Sequence, residues 1–282
     1  MLIPRSALDA FRQDLAADPT AAGPADARWL QVVTLLQSAV DVAPSQRGGI
    51  LDAATDLAAP DALGPDAGVR ALPVTMSFAP PPVVEMAVRS AIAMEDGARF
   101  HLAYAAYDAA LRLVVAEIPD DARRVEVQGV ILALQGRTAR QLGDVEVATK
   151  HYEAAEKLGR DARVDAVVAR AWVGLGLLAQ IRGNHPDARR RFTQALGLTG
   201  AAPESRQVAH QGLMVSASAA GDYDMAALHA WAAYELAPAG DEKVAALCDV
   251  AELLRNAGYP AVALRGFSAA MLRAPRSARQ LL

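Results

Sequence analysis

Residues 170–200 read RAWVGLGLLAQIRGNHPDARRRFTQALGLTG, and this stretch predicts two short helices folded against each other. On both sides of the break at Gly183-Asn184, apolar and small residues recur at spacings of three and four, which is the period of one helix face. These residues are Trp172, Leu175, Gly176 and Ala179, then Ala188, Phe192 and Ala195. Large and small residues alternate between the two faces. We therefore expect a ring on one helix to pack where the other carries only a hydrogen or a methyl group.

The same arrangement recurs along the chain. The glycines at the predicted inner turns are Gly143, Gly183, Gly221 and Gly258, at intervals of 40, 38 and 37 residues. The residues nine positions after these glycines are Tyr152, Phe192, Ala230 and Phe267. The residues seven positions before them are mostly small: Gly136, Gly176, Met214 and Ala251. Self-similarity at such a period indicates a repeat architecture built from helix pairs.

In this register the chain resembles the tetratricopeptide repeat (TPR) family, in its bacterial type. The second copy matches the family's large, Leu-Gly, turn-glycine, small, aromatic and small positions best, with Trp172, Leu175, Gly176, Gly183, Ala188, Phe192 and Ala195. A weaker copy, with Tyr107 and Ala110 in its second helix, precedes the four clear ones. Because the family's usual period is about 34 residues, we expect either a longer first helix in each pair or a longer connection between pairs.

The resemblance implies an all-α fold, a right-handed α-solenoid of antiparallel helix pairs with an N-terminal helical segment. Its first helices would line a concave groove that docks a peptide or a helix of a partner protein. The inward positions that this register assigns are Val130, Ala133, Arg137, Arg140, Arg170, Val173, Leu177, Gln180, Val208, Gln211, Val215, Ser218, Ala245, Cys248, Glu252 and Arg255.

This predicted lining is apolar in its middle and carries arginines at one end. A ligand with an apolar face and a carboxylate would complement it, because a guanidinium presents a forked donor to a carboxylate. The alternative is that Arg137, Arg140 and Arg170 are simply solvated, or are paired with neighbouring acidic residues.

Three regions follow from the distribution of proline and of apolar periodicity. Residues 1–60 predict three modest helices, at 6–17, at 26–42 and around Ile50. Residues 61–83 are rich in proline and form a linker or a strap, because repeated prolines forbid a continuous helix. Residues 84–282 hold the helical repeats. The sequence leaves open whether residues 1–60 cap the repeats or form a separate module.

Composition excludes several classes of protein. The chain has 282 residues, of which 53% are apolar but only 5% aromatic, and this favours close helix packing. Residues 1–80 carry five Arg and nine Asp, and the remaining residues carry 28 − 5 = 23 basic against 32 − 9 = 23 acidic side chains. No basic field spans the repeats, so we expect no nucleic-acid partner. Cys248 is the only cysteine, which excludes an intramolecular disulfide.

Nothing in the sequence predicts an enzyme. The five histidines show no ligand spacing along any one helix, and we expect no catalytic residue, metal or cofactor. No apolar segment has signal-peptide or membrane-spanning character, so the expected location is cytoplasmic. The predicted function is a protein-interaction scaffold or adaptor. The alternative is a regulator that senses a ligand or peptide and acts through a transcription or signalling partner.

The end of the chain predicts one further surface. The last helix carries Val262, Leu264, Phe267 and Met271, and few residues follow it. Either the final residues 276–282 cover this apolar edge, or another subunit covers it and the protein forms a homo-oligomer.

Overall fold

Every regular element that the computed structural model describes is helical. The described residues are 24–58, 80–119 and 121–273. The helix predicted at 6–17 and most of the predicted linker at 61–83 lie outside these ranges.

The chain divides into two compact units, Met1–Val164 and Asp165–Leu282. The division falls inside the region assigned to the repeats, between the first and second of the four clear copies.

The described part of the first unit consists of α-helices that pack in sequence-adjacent pairs. They are α1 (Pro24–Asp41), α2 (Arg47–Leu57), α3 (Pro82–Asp96), α4 (Phe100–Glu117), α5 (Ala122–Gln141) and α6 (Val145–Ala162). A 3-10 turn, Pro44–Gln46, precedes α2. Helix α1 packs against α4, and Trp29 of α1 shares a buried core with Tyr107 of α4 and Ile131 of α5. Helix α1 is therefore part of the same core as the first repeat.

The second unit continues the pairing. Its described helices are α7 (Asp165–Ile181), α8 (His185–Gly197), α9 (Pro203–Ala219), α10 (Tyr223–Leu236), α11 (Asp241–Asn256) and α12 (Pro260–Arg273). Each helix packs against the next one, and α9 also contacts α7. The first helices of the four clear pairs, α5, α7, α9 and α11, have 20, 17, 17 and 16 residues.

In two of the helix pairs, an aromatic ring on the second helix packs directly against a glycine on the first. A methyl group added to Gly136 would lie 2.8 Å from the ring of Tyr152, and one added to Gly176 would lie 2.6 Å from the ring of Phe192. Since the contacting residues lie at similar distances from the turn glycine, the two helices of each pair run antiparallel. The packing predicted from alternating large and small residues is confirmed for these two pairs.

In the third clear pair the large and small residues have changed places. Ala230 stands where the other pairs have a ring, and Met214 stands where two of them have glycine and the fourth has Ala251. Met214 packs against the cluster that contains the buried Ala230. The same space is therefore filled from the opposite helix.

The turns within the pairs share one backbone geometry. Gly143, Gly183, Gly221 and Gly258 have φ between +71° and +91°. In each turn, the N–H of the residue after the glycine donates to the carbonyl five residues before that residue, at 2.8 to 3.0 Å, as in a Schellman motif. The following residue is Asp144, Asn184 or Asp222 in three of them, and its side chain caps the second helix by accepting a backbone N–H. Glycine and cap together explain where these helices end and begin.

Ala98 occupies this turn position in the weaker first repeat. Its φ is +58°, and Arg99 N–H donates to Met94 O at 2.7 Å, as in the other turns. A left-handed conformation costs a residue with a Cβ roughly 1–2 kcal/mol. We therefore expect Ala98→Gly to raise the free energy of unfolding by about 1 kcal/mol, and Gly183→Ala, whose methyl would touch nothing, to lower it by about 1 kcal/mol. Urea denaturation followed by circular dichroism measures both. Shifts of the same sign in the two variants would contradict this explanation.

Candidate functional site

Three of the predicted groove positions, in the middle of α5 and α7, are buried in the helix packing. Val130 and Ala133 of α5 are buried in the first unit. Val173 of α7 is 6% exposed and belongs to the cluster around Phe192. The helical register had placed Val173 on the groove surface, but contact with the neighbouring helices removes it from solvent. A partner could not touch these side chains without displacing a helix.

Arg137 is committed to a buried carboxylate within the first unit. Its guanidinium forms an ion pair with Glu95 of α3, and its Nε–H donates to Glu95 Oε1 at 3.3 Å. The Tyr107 hydroxyl donates to Glu95 Oε2 at 2.8 Å, and the Thr138 hydroxyl donates to Oε1 at 2.6 Å. Glu95 therefore joins α3, α4 and α5. The pairing that the sequence left as an alternative is the one observed for Arg137.

The electrostatics of this network keep Tyr107 protonated. Burial, and then the neighbouring Glu95 carboxylate, raise the pKa of Tyr107 well above its usual value. The hydroxyl therefore remains a hydrogen-bond donor to Glu95 across the physiological range. Arg140, one turn further along α5, is half-buried and interacts with the hydroxyl of Tyr152.

Helix α7 also uses its predicted groove side chains internally. Gln180 Nε2 donates to Gly212 O at 2.7 Å and to Ser216 Oγ at 2.9 Å, both on α9. Leu177 is half-buried against the core of the second unit, and Arg170 is half-buried. Gln180 therefore supports the contact between α7 and α9.

The predicted positions that remain exposed lie on α9 and α11, with Ala245 near the start of α11 and the others toward the ends of the two helices. Val215 is 45% exposed, and Glu252 and Arg255 are exposed and form an ion pair at 2.8 Å. Gln211 and Cys248 are half-buried beside them. Burial, and then Asp249, raise the pKa of the Cys248 thiol, so it stays protonated and is a poor nucleophile. We call Val215, Glu252 and Arg255 the exposed groove positions.

A pocket in the first unit was not predicted. It has a volume of about 560 Å³ and lies between α1, α4, α5 and α6. Its lining is mainly apolar, with two polar side chains: Val40, Leu111, Val115, Leu132, Ala154 and Leu158, with Arg112 and Gln128. Nearby, the Tyr104 hydroxyl and His151 Nε2 are 2.5 Å apart and connect α4 to α6. None of the predicted groove residues lines this pocket.

The structure brings two histidines together that are 19 residues apart in sequence. Nδ1 of His210, on α9, lies 3.2 Å from Nδ1 of His229, on α10. The spacing of histidines along any one helix does not predict this pair. A search across the two faces of a predicted helix pair could have found it.

Large apolar side chains are exposed on the second helices of the last two pairs. Met225, Leu228 and Trp231 follow one another at a spacing of three on α10. On α12 the predicted exposure is confirmed for Val262, Leu264 and Met271, and Phe267 is half-buried. Leu264 is 67% exposed. These side chains form apolar edges outside the predicted groove.

Comparisons with known proteins inform the fold. No protein-family model and no curated protein matches the chain. Among solved structures, the crystal structure of BtubC (BKLC) from P. vanneervenii is similar, with a TM-score of 0.60 and 15% sequence identity. The alignment covers 92% of this chain and 93% of that one. Similarity at this level of identity shows a shared fold and does not transfer a function. None of the described helices is long and apolar enough to cross a bilayer.

Proposed function

We propose that the protein is a TPR-type scaffold or adaptor without a catalytic role, whose helix pairs stack into a right-handed α-solenoid and dock a peptide or helix of a partner protein. Two features of the packing support this proposal. Rings and small residues alternate between paired helices, and the same capped turn recurs in successive pairs. Such pairs cannot bury their apolar faces alone, so stacking leaves a surface made of first helices available for a partner.

The observation that carries the proposal is the exposure of Val215 together with Glu252 and Arg255. Val215 is an apolar side chain that the fold does not cover. The ion pair on α11 has both partners exposed, with 57% of each side chain accessible, and such pairs contribute little to stability. Arg255 can therefore exchange Glu252 for a ligand carboxylate at small cost.

The chemistry of these positions defines the partner segment. An apolar side chain of the segment would cover Val215, and an acidic residue or a terminal carboxylate would pair with Arg255. The contact area therefore shifts from Arg137 and Gln180, which are engaged within the fold, toward α9 and α11.

Site-specific photo-crosslinking in an extract of the source cells tests the proposal. A photoreactive amino acid at position 215 of the full chain should give an adduct with one partner protein, and the yield should fall when Arg255→Glu is added. The matched control replaces Gln194, an exposed residue on the second helix α8, and should give no such adduct. Equal labelling from positions 194 and 215, or no adduct from 215, would reject docking at this surface.

The same crosslinking approach tests the predicted homo-oligomer. A photoreactive residue at position 264 should give an adduct of twice the chain mass if a second copy covers the exposed edge of α12. An adduct confined to the single chain would argue against self-association through this edge.

The pocket of the first unit favours the alternative function, a ligand-sensing regulator that acts through a transcription or signalling partner. Its volume of about 560 Å³ lies in the usual range of small-molecule sites, and an apolar lining with few polar groups is typical of them. Leu132→Trp would fill the pocket and should abolish binding of an apolar fluorescent carboxylate. Unchanged binding in this variant would exclude the pocket as a sensing site.

A further inference from the structure

His210 and His229 form a pair of imidazoles that bridges two helices. Their Nδ1 atoms are 3.2 Å apart, the ring centroids are 5.4 Å apart, and the ring planes are inclined by 35°. Both side chains are half-buried.

The separation of the two nitrogen atoms suits two ligands of one metal ion. Zinc binds histidine nitrogen at about 2.0–2.1 Å in tetrahedral geometry, which places two ligand nitrogens about 3.3–3.4 Å apart. The observed 3.2 Å is close to this value, so the spacing of the two nitrogens matches that of two ligands of one ion. In the absence of metal, one ring can donate its Nδ1–H to the other.

We propose that His210 and His229 together bind a divalent transition metal ion such as Zn²⁺ and thereby connect α9 to α10. Imidazole nitrogen favours Zn²⁺, Cu²⁺ and Ni²⁺ over Mg²⁺ and Ca²⁺, which prefer oxygen ligands. The site does not depend on the proposed docking surface, since neither histidine is one of the exposed groove positions.

The surroundings of the pair make neutral imidazoles available at physiological pH. Burial lowers the pKa of both rings, and the charges of His229 and then Arg206 lower that of His210 further. Metal ligation requires the unprotonated ring nitrogen, so this environment removes a competing proton. Arg206 itself is held by the carbonyl oxygens of Leu196, Leu198 and Ala201.

The ligand set predicts an exchangeable site. Among the residues that the structure describes, no group of three or more metal-binding side chains occurs, so water would complete the coordination. A site of this kind would respond to the concentration of free metal and tighten the α9–α10 pair when occupied, because an ion that binds the folded form alone stabilises it.

Titration of the untagged, chelator-treated full-length protein with ZnCl₂ tests the proposal. We expect one Zn²⁺ to bind per chain, with a rise in the melting temperature that MgCl₂ does not produce. Nitrogen-15 spectra of the histidine rings should show both Nδ1 signals shifting while both Nε2 atoms keep their protons. Such a change distinguishes ligation from a hydrogen bond, in which one Nδ1 carries the proton.

Two single variants and one control locate the ion. His210→Ala and His229→Ala each remove a direct ligand, and each should weaken binding by more than the roughly 10–100-fold that outer-shell substitutions cost. His101→Ala, at an exposed site on α4, should bind as the wild type does. Circular dichroism establishes whether each variant is folded. If an alanine variant is not folded, the glutamine variant at the same position, His210→Gln or His229→Gln, replaces it. Absence of zinc binding by the wild type, or wild-type affinity in either ligand variant, would overturn the assignment.

Discussion

Phe192→Ala should lower the free energy of unfolding by about 3–5 kcal/mol, toward the upper end of this range. Phe192 is fully buried, and its ring lies against Gly176 of α7 and Gly212 of α9. Glycines have no side chains that could move into the vacated space. The alanine variant would therefore keep most of the cavity, and the cost of a core truncation increases with the cavity that remains.

Phe267→Ala is the matched control, since Phe267 occupies the same repeat position on α12. It is half-buried, so its truncation should cost clearly less. Urea denaturation of both variants in a Trp29→Phe background gives the comparison, because the remaining tryptophans, Trp172 and Trp231, report on the second unit. Equal losses of unfolding free energy in the two variants would show that the position of Phe192 between two glycines adds nothing beyond burial of a ring.

Arg137→Met should lower the free energy of unfolding by about 3 kcal/mol. The Glu95 side chain is only 5% exposed, and without the guanidinium its charge would be met by the hydroxyls of Tyr107 and Thr138 alone. Removing one partner of a buried ion pair costs about 3–5 kcal/mol. Because the Arg137 side chain is itself 38% exposed, water can reach the vacated space, and we expect the lower end of that range.

Two further variants distinguish the cost of leaving a buried charge unpaired from the cost of replacing an arginine in general. Arg112→Met breaks the more exposed pair with Asp108, and this should change stability by less than about 1 kcal/mol. The double variant Glu95→Met with Arg137→Met removes both charges and should recover part of the loss, since an apolar pair replaces a buried ionic one. Denaturation by urea measures all three. A loss for Arg137→Met no larger than that for Arg112→Met would contradict the role assigned to Glu95.

The helix pairs and their internal packing could be predicted from the sequence because they are set by local spacing. Gly176 and Phe192 lie 16 residues apart around a turn marked by Gly183, so a periodic pattern contains both the helices and their partners. The left-handed conformation of Ala98 in the first repeat could not be predicted in this way, because alanine carries no sequence signal for a positive φ.

Whether a predicted groove residue is exposed, buried or paired could not be predicted. This depends on contacts between helices, and such contacts do not follow a periodic pattern in the sequence. Glu95 and Arg137 are 42 residues apart, and only the packing of α3 beside α5 brings them together. A register along one helix likewise states which way Val173 points, but not that another helix covers it. Val215 is a predicted groove position that the fold leaves exposed and therefore accessible to a partner.

The exchange of size between Met214 and Ala230 has a consequence for how such repeats diverge. Where one copy seats a ring on a glycine, another fills the same space with methionine from the facing helix and leaves alanine opposite. Neither position can change alone without creating a cavity or a clash. Among descendants of one ancestral pair, the two sites should therefore co-vary in volume, large with small. Their joint history would be visible in an alignment even where neither residue is kept.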